Sequence, residues 1–104
     1  MNYVLNAAGD PVPEPDILAW ARWIIEDDNR VVASDDVAGV VVVATVFLGT
    51  NLGLSDKPEF FETYVAGYSG RRRYATRPAA ERGHRELVGA LEARYFELMT
   101  SIAR

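Results

Sequence analysis

The chain contains no cysteine and a single histidine, His84. These shortages exclude disulfide frameworks, zinc knuckles and cysteine nucleophiles, and they leave the redox compartment unreadable. Basic residues are also in deficit: eleven Lys and Arg against fifteen Asp and Glu give a formal charge of -4. Such a balance is poor for wrapping a polyphosphate backbone, so a nucleic-acid polymer is not expected as a partner. The longest apolar run, around Val40 to Leu48, is about half of the ~20 residues that a spanning helix requires. Residues 1 to 20 lack the basic start and apolar stretch of a secretion signal. The expectation is a soluble protein without membrane contact, retained in the cell that made it.

What is present is ordinary globular material. The shares of 49 % hydrophobic and 25 % charged residues over 104 positions are those of folded domains and not of disordered or low-complexity chains. The length admits one domain, residues 1–104, and a chain of this size removes only ~65 % of its unfolded surface from water. Stability is then modest or shared with partner chains.

Tyr3 to Leu5 is a short β-prone run followed by a turn around Gly9, which predicts an N-terminal edge strand. The Pro11 to Pro15 stretch is stiff and extended, and Pro15 suits the first position of a helix running to about Asp27, with Glu14 and Asp16 at its positive end. At 100° per residue Ile17, Trp20, Trp23 and Ile24 share one face, with Leu18, Ala21 and Ile25 opposite. A strand is expected from Arg30 to Ala33, a turn over Ser34 to Ala38, and then a long strand from Gly39 to Gly49. That strand is apolar on both parities, with Thr45 its one hydroxyl, and so reads as central and covered on both faces. A half-exposed strand whose outer face sits in a dimer is the alternative.

The ten residues from Gly49 to Pro58 exceed what a hairpin needs and read as a lid or a tolerated insertion. Strands are predicted over Glu59 to Gly67 and Arg71 to Thr76, joined by a two-residue Ser69-Gly70 turn. Thr76 can cap a last helix that has Pro78 early and reaches about Ile102. The fold class is therefore α+β: an antiparallel sheet of four to five strands, a meander plus the N-terminal edge strand, with two helices packed on one face. In the last helix Ala80, His84, Leu87, Val88, Leu91, Tyr95, Leu98 and Ile102 form a core stripe, while Phe96, Met99 and Ala103 lie on a neighbouring one. That second stripe, with Leu18 and Ile25, exceeds what one sheet can bury and argues for a homo-oligomer, most simply a dimer.

Candidate chemistry is sparse. His84 lies within an apolar stripe, where a buried structural histidine is favoured over a general base. No serine has a nucleophile elbow. The carboxylates Glu26, Asp27 and Asp28, with Asp35 and Asp36 nearby, lack the alternating spacing of a calcium loop, so neither metal nor cofactor is expected. The glycines at 49, 53, 67 and 70 do not form a phosphate loop.

The most specific feature is basic and aromatic. With Ser69 and Gly70 as turn residues, Tyr68 faces Arg71, Ala66 faces Arg73 and Tyr64 faces Ala75, which puts Glu62, Tyr64, Tyr68, Arg71 and Arg73 on one side and Phe61, Val65 and Tyr74 on the core side. Arginine forks take phosphate or carboxylate and tyrosine rings stack. These five, with Asn51 from the loop and Arg77 near the helix start, form a candidate site for a nucleotide-like anion. An exposed strand face on which the arginines pair with Glu62 is the plainer reading.

Tyr3 to Leu5, Pro11 to Asp16 with Trp20 and Trp23, Thr45 to Gly49, Phe61 to Thr63 with Gly67, and Tyr74 to Thr76 followed by Gly83 and His84 together resemble a widespread family of small uncharacterised proteins encoded by tailed phages. The family pattern carries an Asp-His pair where this chain has Thr50, Asn51 and Leu52, and a Trp where it has Arg77. The resemblance implies phage origin and the cytoplasm of an infected bacterial host. Small phage accessory proteins often act against host defence, and three functional classes follow, none of them enzymatic. The first is sequestration of a nucleotide-like ligand on the Arg and Tyr surface. The others are a protein-binding inhibitor of a host effector and a structural or assembly accessory.

Overall fold

A computed structural model describes residues 1–26 and 28–102. Its element order is β1 (Tyr3–Leu5), β2 (Pro11–Pro13), α1 (Ile17–Ile25), β3 (Val31–Val37), β4 (Val41–Phe47), β5 (Phe61–Val65), β6 (Arg71–Tyr74) and α2 (Arg77–Ile102). Strands β3 to β6 form an antiparallel meander in sequence order, so the fold is α+β as expected. No helix among the described residues is long and apolar enough to cross a membrane.

The Pro11 to Pro13 segment is itself a strand. It pairs antiparallel with β1, Val4 opposite Val12, and this ribbon joins the end of β4 where the Tyr3 N–H donates to the Gly49 carbonyl at 2.9 Å and Asn2 bridges Thr50, with Tyr3 and Leu5 packed against the core. Proline lacks an N–H and is tolerated in such a two-stranded edge ribbon. The first helix starts two residues later than Pro15 because Asp16 caps it, accepting from the N–H groups of Leu18 and Ala19. The expected end at Asp27 lies outside the described residues.

The acidic pair Asp35 and Asp36 stands within β3 and not in a turn. The reversal is made by Ala38 and Gly39, both at positive φ (55° and 70°), with the Val40 N–H returning to the Val37 carbonyl at 3.0 Å. The β5–β6 turn also differs from expectation. Gly67 takes φ 87° and the Tyr68 N–H closes on Val65, so Tyr64 pairs with Arg71, and Glu62 with Arg73. Relative to the expected Tyr64–Ala75 pairing this is a slip of four positions, an even number, so Glu62, Tyr64, Arg71 and Arg73 keep one face.

On the inner face Val43, Phe47, Phe61, Thr45 and Thr63 are buried against α2, and α1 reaches the same layer through an edge-on contact of Trp23 with Phe47 at 5.7 Å. Both helices thus cover one face. The outer face has no covering layer, which corrects the expectation that β4 is enclosed: Val43 is 0 % exposed but its neighbour Val42 is 41 % exposed.

The stripe on α2 is core only in its first half. Ala80 and His84 are buried, whereas Leu98 and Ile102 stand exposed. The 26 residues of α2 at about 1.5 Å each span about 39 Å, and the 7 residues of β4 at about 3.3 Å each span about 23 Å. The helix outruns its sheet, which gives the molecule its 59 Å long axis against 29 and 25 Å.

Candidate functional site

The outer face of β5 and β6 carries the predicted cluster in part. Arg71 stacks over the Tyr64 ring at 5.2 Å and its Nε lies 3.9 Å from a Glu62 oxygen. Arg73 Nε donates to Glu62 Oε1 at 3.1 Å, and its Nη1 lies 3.7 Å from Glu59. Two guanidiniums therefore meet two carboxylates. The other members of the set lie elsewhere. Asn51 is occupied within its own loop, where Oδ1 accepts from the N–H groups of Gly53 and Glu59 at 2.8 and 2.9 Å. Leu54 and Lys57 exchange backbone bonds across the same segment, so these ten residues are a pinned excursion of the β4–β5 connection. Arg77 pairs with Glu81 at 2.8 Å and lies against Gly9. Tyr68 sits in the turn and lines a groove on the α2 side.

Beside Tyr64 the outer face holds a shallow depression of about 410 Å³ between β4 and the end of α1. Ile25, Val31 and Val46 supply its apolar floor, and Glu26, Asp28 and Glu62 ring it, with Arg30 as the one base in its lining.

The inner face carries a polar chain through the core. Asp35 Oδ2 stands 2.6 Å from His84 Nε2, His84 Nδ1 is 2.8 Å from Thr45 Oγ1, and Thr45 Oγ1 in turn bonds Thr63 Oγ1. The imidazole and both hydroxyls are buried, while the Asp35 side chain reaches solvent. Each element contributes one group: β3 the carboxylate, β4 and β5 the threonines, and α2 the imidazole. His84 can come this close because the preceding Gly83 lets the helix lie on the Tyr74 ring.

Thr63 also forms part of the floor of an open groove of about 420 Å³ between α2 and the β5–β6 hairpin. Val41, Val65, Leu87 and Leu91 make its walls and Arg72 stands at its side. Unlike Arg71 and Arg73, Arg72 pairs with no carboxylate among the described residues.

The sequence reading marked His84 but not its partners Asp35, Thr45 and Thr63. A usable signal existed, because Thr45 shares the parity of Val43 and Phe47 in an otherwise apolar run, and a buried hydroxyl there requires a partner. Asp35 was hidden by its assignment to a turn. Among the described residues no three carboxylates or histidines converge on a metal position; the Asp27 member of the acidic group lies outside them. Comparison with family models, curated proteins and solved structures found no match to the chain.

Proposed function

We propose that the protein is a non-catalytic binding protein that self-associates and attaches to another protein through its open outer face. The observation that carries this reading is the depression beside Tyr64, an apolar floor of Ile25, Val31 and Val46 ringed by Glu26, Asp28 and Glu62. Its chemistry complements a basic patch with apolar residues at its centre, and the net charge of -4 steers such an encounter in the same direction. The resemblance to phage-encoded proteins makes a host effector in the bacterial cytoplasm the corresponding partner.

Binding without bond chemistry is supported by the buried chain. His84 holds the Thr45 hydroxyl as a base would, but Thr45 is 0 % exposed and Thr63 caps it, so no substrate has a path to the oxygen. Self-association is supported by Phe96 and Ile102, 72 % and 76 % exposed on the part of α2 that outruns the sheet, and by Leu18 on α1.

A second reading rests on the stacking of Arg71 over Tyr64, which suits a nucleotide-like ligand held by Tyr64, Arg71 and Arg73 for sequestration. Glu59 and Glu62 offset both guanidiniums, which favours the protein partner. The test is affinity capture from host lysate with wild type and with Glu26→Lys/Val31→Lys, beside calorimetry with a nucleotide panel. A partner that wild type retains, that salt releases and that the variant loses supports the first reading. Nucleotide heat that disappears in Arg73→Ala replaces it with the second.

A further inference from the structure

The apolar stripe of α2 does not stop where the sheet stops. At 100° per residue Leu87, Leu91, Leu98 and Ile102 fall within about 60° of one another, so the side that packs on the sheet at Leu87 and Leu91 continues past it. The first two are half-buried and the last two are exposed. A stripe of core character that runs beyond its own core marks a contact surface.

A complementary surface lies at the same end of the molecule. The register of β4 with β5, Val43 opposite Val65, places the β3–β4 and β5–β6 reversals side by side, at the end where α2 leaves the sheet. Their tips present Val40 and Tyr68, both exposed. Beside them lies the open groove walled by Val41, Val65, Leu87 and Leu91. One end of the chain thus carries both an apolar projection and an apolar slot. A twofold contact needs this pairing, since each copy gives its projection and receives its partner's.

Turning a second copy about an axis between residues 94 and 95 runs the two α2 helices antiparallel. Leu91 then stands opposite the partner's Leu98, and Leu87 opposite the partner's Ile102. The contact covers the 15 steps from Leu87 to Ile102, about 22 Å at about 1.5 Å each. Charge is complementary at the far end. Arg72 flanks the groove and has no carboxylate partner among the described residues. The last turn of α2 has no basic residue of its own, and its free carbonyls are the negative end of the helix dipole. The antiparallel arrangement brings those carbonyls to the groove that Arg72 flanks. At the axis the two Arg94 side chains are each matched by their own Glu97 at 3.4 Å, so like charges do not oppose each other there.

We propose that the groove between α2 and the β5–β6 hairpin is the seat for the C-terminal part of α2 from a second copy, with Leu98 and Ile102 as its apolar anchors and Arg72 at the incoming helix end. The inference rests on the self-association proposed above and assigns it an interface, a twofold symmetry and a register.

The test is disulfide mapping beside sedimentation of the full chain. The sequence has no cysteine, so introduced thiols report the register alone. Leu91→Cys and Leu98→Cys proteins, mixed and allowed to exchange subunits, should form a covalent dimer under mild oxidation, and neither should do so by itself. Leu98→Lys, at an exposed position clear of the sheet, should sediment as one chain with its helix signal intact. Arg72→Ala should weaken association several-fold to about tenfold, the effect of losing a cation at each of two helix ends. A wild-type dimer that Leu98→Lys leaves intact, or that only Phe96→Asp dissociates, keeps self-association and overturns this interface. Linkage of Leu91→Cys to itself overturns the register. Equal association by Arg72→Ala overturns the part given to the guanidinium. A wild type that stays a single chain at every concentration overturns the interface and self-association together.

Discussion

The Tyr74 hydroxyl lies directly over the Cα of Gly83, so close that a Cβ at that position would overlap the phenol oxygen and ring. This close approach of α2 to the sheet sets the depth at which His84 enters the core. Gly83→Ala must therefore lift the helix or displace the Tyr74 ring, and overpacking of this kind costs about 1 to 3 kcal/mol. Urea unfolding should show a lower midpoint with an unchanged slope.

The two faces of β4 predict opposite outcomes for adjacent substitutions. Val43→Asp places an unpaired carboxylate at a position with no solvent access and should prevent folding. Val42→Asp points outward, where its side chain is hydrated, and should give a soluble protein with wild-type circular dichroism. Cooperative unfolding of Val43→Asp near the wild-type midpoint would contradict the inner-face assignment.

The order of bonds in the polar chain makes Thr45 more costly to lose than Thr63. Thr45→Val leaves both His84 Nδ1 and the Thr63 hydroxyl unpartnered inside the core, a loss of about 1 to 3 kcal/mol for each stranded group. Thr63→Val keeps the Thr45–His84 bond and should cost less. The double variant should be less destabilised than the sum of the two singles, because they share one bond. Chemical denaturation of the three proteins measures the coupling.

Sedimentation at micromolar concentration should give a mass above the 11.5 kDa of one chain. Phe96→Asp with Ile102→Lys should reduce that mass to one chain without loss of helix signal, since both side chains stand clear of the sheet. A wild-type mass of one chain across the whole concentration range would remove self-association and leave the outer-face reading untouched.

Local chemistry in the chain was sufficient for the central strand and both helices, though not for β2 or the second half of β3. The β-branched run around Val40 to Leu48, the Thr76 cap with Pro78 behind it and the period of the last helix all act over a few residues, and each produced the expected strand or helix. The face shared by Glu62, Tyr64, Arg71 and Arg73 was legible for the same reason, because alternation survives an even slip in register. Properties that depend on distant segments were not. A strand rich in valine on both parities looks enclosed until the number of helical layers is known, and here both helices settle on one side and leave Val42 in water. The core stripe of α2 ends where the sheet ends, a limit imposed by the lengths of other elements. Asp35, Thr45, Thr63 and His84 lie up to 49 positions apart along the chain, and only the packing of α2 on the meander, permitted by Gly83 against Tyr74, brings an unremarkable carboxylate and the Thr45 hydroxyl, itself bonded to Thr63, onto the single imidazole.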